Sequence, residues 1–157
     1  MKFAQKYNAD IEIYNTDGNL AVKLDYLKDS MFKCQNNQLI VYTNILSTEL
    51  YDFLYEKEED LRSDFEKSTS KNHYESYLVS NKQKNCKLII KTYVQDEQEG
   101  VYKSLVYKVP KAFVRTNFDR INNSIGDPAK DPANYQIVFD ILPFDDKGHL
   151  FTIYLEK

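Results

Sequence analysis

Tryptophan is absent from the 157 residues, cysteine occurs twice, glycine and proline four times each, and only three of the 21 basic residues are arginine. Each scarcity excludes something. Gly18, Gly100, Gly126 and Gly148 all fall where turns or loops are expected, so none is left to build a phosphate cradle. Neither a GxGxxG fingerprint nor a Walker loop is present. Cys34 and Cys86 are too few for a disulfide-built secreted scaffold and read as reduced thiols. With His73 and His149 they are the only soft or borderline metal ligands, widely spaced, so no metal site and no cofactor are expected. Met1 to Asp10 lacks the apolar stretch of a secretory signal, and no apolar run approaches the ~18 residues of a membrane span. A cytoplasmic protein without a membrane partner is expected.

What is present suits one globular domain over residues 1–157. Hydrophobic residues make up 42% of the chain and charged residues 29%, which argues against disorder. Ile11 to Tyr14 and Leu20 to Tyr26 alternate around Asp17-Gly18, a hairpin signature. Leu39 to Leu46 is apolar on both parities, as an interior strand would be. From Glu49 to about Lys67, with Ser47 or Thr48 as cap, Leu50, Leu54, Leu61 and Phe65 share a stripe at helical spacing, flanked by Phe53. Residues 73–81 are ambiguous between a helical turn and a strand.

Cys86 to Gln95 and Val101 to Val109 form a second hairpin across Asp96 to Gly100, ended by Pro110. Val114, Phe118 and Ile121 predict a short helix over 111–122, followed by an irregular loop to Asn134. Tyr135 to Ile141 and Phe151 to Leu155 predict a third hairpin across Pro143 to Gly148. The expected fold is α+β: a mainly antiparallel sheet of about seven strands, three hairpins plus one strand, with one long helix packed on it and one short helix.

Candidate chemistry is sparse. Asn15, Asp17 and Asn19 alternate like the start of a calcium loop but lack a closing acid, and a hairpin turn explains them. Asp127 with Asp131, Asp145 with Asp146, and Glu58-Glu59-Asp60 are carboxylate groups without an evident pocket. The expectation is therefore not an enzyme; a small hydrolase using His73 or His149 with a distant carboxylate is a remaining alternative.

Net charge is −3, yet charge is unevenly spread. Residues 47–66 hold eight acidic and two basic residues, a balance of −6, while 67–91 hold six basic and one acidic, a balance of +5. On the expected long helix, Asp52, Glu56, Glu59 and Glu66 fall opposite the apolar stripe, with Tyr55 beside them. Such a face can steer onto a basic cleft of a protein partner and supply an aromatic anchor. The alternative surface is Lys82, Lys84, Lys87 and Lys91 with Tyr93, the residue types that bind single-stranded nucleic acid. Thirteen tyrosines, several of outward parity, favour an interface of some kind.

Small size, an excess of Lys, Asn and Tyr whose codons are AT-rich, an acidic helix and no catalytic motif give a whole-chain character. In that character the sequence resembles small phage or mobile-element inhibitors of bacterial defence nucleases, the type II anti-CRISPR proteins among them. The resemblance implies a stoichiometric, non-enzymatic inhibitor whose acidic helix occupies a basic groove on a Cas9-type effector, blocking DNA binding or cleavage.

Overall fold

The structure, a computed structural model, describes residues 3–24, 32–35, 37–43, 48–70, 72–116, 123–125 and 134–157. Eleven strands and two helices are found among them: β1 (Phe3–Tyr14), β2 (Leu20–Leu24), β3 (Phe32–Gln35), β4 (Gln38–Thr43), α1 (Thr48–Leu54), β5 (Glu56–Glu58), α2 (Asp64–Thr69), β6 (Ser76–Leu78), β7 (Gln83–Asp96), β8 (Tyr102–Arg115), β9 (Asn123–Ile125), β10 (Asn134–Ile141) and β11 (Thr152–Leu155). Nine strands make one antiparallel sheet in the order β2-β1-β7-β8-β10-β4-β3, with β11 added to β8 and β9 to β10. The sheet curls into a half-barrel. Strands β5 and β6 pair separately.

Alternation builds the core. Along β7, Cys86, Leu88, Ile90, Thr92 and Val94 are buried, while Lys87, Lys91 and Tyr93 between them are exposed. Period-2 patterning therefore aims one side chain of each pair inward. Ile11 and Ile13 of β1, Val109 and Val114 of β8, Ile137 and Phe139 of β10, and Leu39 and Val41 of β4 complete the inner face. From α1, Leu50, Phe53 and Leu54 pack against it.

The first expected hairpin is β1–β2: Gly18 takes φ +93, and Tyr14 pairs with Leu20 and Ile13 with Val22. Tyr26 lies outside the described residues. Strand β4 sits between β3 and β10, inside the sheet. The second hairpin, β7–β8, runs further than expected at its open end, to Gln83 and Arg115. Pro110 does not stop β8. Cys86 pairs with Ala112 and Leu88 with Val109, so Lys87 alone faces Pro110 and Lys111. That bulge accommodates a residue with no amide hydrogen to donate.

Four expectations are overturned. The long helix over 49–67 does not form: α1 has seven residues, α2 has six, and β5 lies between them. The α+β fold with one long packed helix is therefore replaced by a mostly antiparallel sheet with two short helices. The helical stripe misled because only its first half is core; Leu50 and Leu54 are buried, whereas Leu61 and Phe65 are 58% and 77% exposed. A start signal also interrupts it, since the Ser63 hydroxyl accepts the Glu66 amide hydrogen (3.2 Å) and caps α2.

The short helix over 111–122 is, as far as Arg115, the end of β8, with Ala112 and Val114 in the core. Phe118 and Ile121 lie outside the described residues. The irregular loop expected before Asn134 contains β9 at Asn123–Ile125, and its remainder is not described. Finally, β10 and β11 do not pair as a third hairpin. Both use the same edge of β8, β10 along Ala112–Val114 and β11 along Leu105–Lys108. A strand of 14 residues, jogged by its bulge, offers two separate docking lengths. Phe151 meets Tyr107 edge to face (5.9 Å between centroids), which keeps the C-terminal strand there.

Candidate functional site

The five residues assigned to an acidic helix face part company. Asp52 stays on α1, where its carboxylate accepts the Tyr77 hydroxyl (2.8 Å) and approaches Lys57 (3.7 Å). Tyr55 is 6% exposed and stacks on Tyr51 (5.7 Å), so it belongs to the core and cannot be a surface anchor. Glu56 opens β5, Glu59 lies in the connection and Glu66 in α2, all three exposed. No continuous acidic helix face exists.

What the chain builds instead is a lobe of residues 56–79, braced by polar contacts and by Tyr77, which packs against Tyr51 (5.6 Å between centroids) and the core. Glu56 pairs with Leu78 and Glu58 with Ser76 across β5–β6. Lys57 bonds Glu75 (3.0 Å), which raises the lysine's pKa above its ordinary value. Arg62 grips Asp60 through Nε and Nη2 (2.9 and 2.7 Å), donates to the Asn72 carbonyl (3.1 Å) and lies over the Tyr74 ring (4.1 Å). Hydrogen bonding to Arg62 holds the Asp60 carboxyl down at about 2. The Leu61 amide donates to Ser76 Oγ (2.9 Å).

Because these contacts are polar, the apolar side chains are left outside. Leu61, Phe65, Tyr74, Leu78 and Val79 are all large and exposed, and α2 buries none of its residues. Seven acidic and four basic residues give residues 56–79 a balance of −3.

The basic run is split by strand parity. Lys82 precedes β7, its amide bonded to Thr116 Oγ1 (3.1 Å). Lys84 points to the inner side at the sheet's end, its ammonium 5.3 Å from the Phe53 ring, beside a cavity of about 270 Å³ that Glu49 and Asp52 also line. Only Lys87, Lys91 and Tyr93 share the outer face. There Lys91 pairs with Glu12 of β1 (3.1 Å), which also accepts the Tyr14 hydroxyl (3.2 Å). Desolvation and the Glu12 charge push the Tyr14 hydroxyl up, and the bond to Glu12 raises Lys91.

Two groups of the remaining candidates sit in turns. Asn15, Asp17 and Asn19 close the β1–β2 turn: the Asn19 amide donates to Asp17 Oδ1 and the Gly18 amide to the Asn15 carbonyl, each at 2.9 Å. Asp145 accepts from the amides of Lys147 and His149 and from the His149 ring in the turn before β11, and these bonds lower its pKa. His73 and His149 are both exposed. Asp127 and Asp131 lie outside the described residues. Cys86 is buried, which pushes its thiol up to about 12. Among the described residues, no group of three or more His, Cys, Asp or Glu could hold a metal ion, and no helix is long and apolar enough to cross a membrane.

Compared with known proteins, the chain matches no family model, no curated protein and no solved structure.

Sequence reasoning missed Leu61 and Phe65 as surface residues because their spacing fits a buried stripe. The Ser63-x-x-Glu66 pattern, a helix start three residues before Glu66, was the signal that could have released them. It missed Lys108, and did not join Tyr154 to the lysines of the outer face, because that face becomes visible only once β11 is seen to lie on β8.

Proposed function

We propose that the chain is a non-enzymatic protein-binding module whose contact surface is the acidic, apolar lobe of residues 56–79. The observation that carries this is the exposure of Leu61, Phe65, Tyr74, Leu78 and Val79 within one polar-braced lobe. Exposed apolar side chains gathered beside charge suit a protein interface. The partner that fits is a protein presenting an apolar groove rimmed by lysine or arginine, because Glu56, Glu58, Glu59, Asp64 and Glu66 are exposed in the same segment as the apolar groups. The resemblance to inhibitors of defence nucleases names a first partner to try, a Cas9-type effector with its basic nucleic-acid channel.

A photo-cross-linking amino acid at position 65, used in the native host, identifies the partner by mass spectrometry. Purified partner is then titrated with the wild-type chain and with a Leu61→Asp/Phe65→Asp variant. The proposal expects salt-sensitive binding that the variant loses; equal binding by the folded variant overturns it.

A further inference from the structure

A second surface lies on the outer face of the sheet, on β7, β8 and β11. Register fixes its layout. Lys91 of β7 faces Val106 of β8, which faces Tyr154 of β11. One row on, Tyr93 faces Ser104, and Tyr102 is its diagonal neighbour through Gln95. One row back, Ile89 faces Lys108, which faces Thr152. Tyr93, Tyr102 and Tyr154 are 57%, 50% and 53% exposed. Beside them an open cavity of about 480 Å³ is lined by Tyr14, Lys87, Ile89, Lys108 and Pro110.

This face carries carboxylates as well as lysines: half-buried Asp10 sits opposite Lys91, and exposed Glu156 accepts the Ser104 amide hydrogen (2.7 Å). Glu12 is 8% exposed and already bonded to Lys91 and Tyr14. Lys87 and Lys108 are exposed, and no ion pair joins either to another described residue. Lys87 and Lys108 therefore stand on the outer sheet face with the exposed tyrosines, while residues 56–79 hold seven acidic residues.

We infer that this outer face binds single-stranded nucleic acid, with Lys87, Lys91 and Lys108 meeting phosphates and Tyr93, Tyr102 and Tyr154 stacking bases. Diagonal neighbours on an antiparallel sheet stand roughly 7–8 Å apart, a separation that lets unstacked bases lie on successive rings. The outer side of the curled sheet leaves these rings open to a single strand with its bases turned to the protein. Lysine supplies point charges without the bidentate fork of arginine, so binding should tolerate most sequences.

The test is fluorescence polarisation with labelled oligothymidylate and oligouridylate of about 15 nucleotides, in separate arms that distinguish DNA from RNA. Competition with unlabelled duplex of the same length accompanies each arm. The inference expects binding at about 50 mM salt, with affinity falling on a log–log slope near −2 for three phosphate contacts. Tyr93→Ala and Tyr154→Ala should each weaken binding about fivefold or more, and Lys87→Glu/Lys108→Glu should flatten the salt slope. Each variant is checked for an unchanged melting temperature, which exposed positions permit. Absence of binding by both oligonucleotides at about 50 mM salt overturns the inference. So does binding that folded tyrosine variants retain in full while duplex competes equally, since that describes a polyanion surface without base stacking.

Discussion

Phe139 and Phe65 are the same side chain in opposite circumstances: one is fully buried in β10 and the other is 77% exposed on α2. Around Phe139, strands β4, β8 and β10 present alternating apolar residues to one interior, so ring and neighbours leave water together. Around Phe65, the bonds that shape the lobe are Arg62 with Asp60, Lys57 with Glu75 and Ser63 with Glu66, none of which needs the ring. Apolar residues in the sheet are there for stability. In the lobe Tyr77 packs against the core, whereas Leu61, Phe65, Leu78 and Val79 are exposed, and burial does not explain them.

The largest expected effect separates these two phenylalanines. Phe139→Ala should cost about 3–5 kcal/mol of unfolding free energy, from lost burial and the cavity left behind. Phe65→Ala should change it by less than about 0.5 kcal/mol. Urea unfolding of both variants measures this difference, and a similar loss in each would abolish the distinction between core and lobe.

A smaller effect is expected where the sheet carries its own charge. Lys91→Ala removes the ammonium bonded to the Glu12 carboxylate on the outer face, and should cost about 1 kcal/mol by the same measurement. Glu12→Gln/Lys91→Ala together should recover part of that loss, because the charge is then removed as well.

In the lobe, the Asp60 carboxyl should titrate at about 2, well below the ordinary carboxylate range, because Arg62 stabilises its charged form. A depressed pKa contributes stability above the unfolded value, and that contribution is lost as pH falls from about 4 through about 2. Carboxyl carbon NMR follows it directly. Arg62→Ala should return Asp60 toward the ordinary range while the sheet resonances stay in place.

Cys86 offers the subtlest readout. In a Cys34→Ser background its buried thiol should resist a disulfide reagent in the native state and react only as the sheet opens. Phe65→Asp should leave that protection unchanged. Faster labelling would mean that the lobe braces the core.

Much of the sheet was legible because period-2 alternation and turn chemistry act locally. Asp17-Gly18 marks the β1–β2 turn, and Glu99-Gly100 follows the buried Asp96 whose carboxylate caps the β7–β8 turn. The β3–β4 hairpin, where Asn37 takes φ 60 and Gln35 pairs with Gln38, was overlooked. Which strand pairs with which was less legible. Tyr135 to Ile141 and Phe151 to Leu155 have parities that suit each other equally well, and only the length of β8 sends both to one edge.

The candidate site was legible as charge and illegible as shape. Residues 47–66 are acidic whatever they form, but a stripe of Leu50, Leu54, Leu61 and Phe65 cannot reveal that its second half faces water. Tyr55, named as an exposed anchor, is core, and Phe65, named as core, is exposed. The error has a single cause, a helix extended through the point where β5 and the Ser63 cap break it.

The most direct measurement is a paired one on Phe65→Asp: its urea unfolding midpoint, and its affinity for the partner cross-linked at position 65. The account predicts an unchanged midpoint and affinity lowered by more than about tenfold, as for a central interface anchor. A midpoint that falls as a core variant's does, or an affinity equal to that of the wild-type chain, would contradict it.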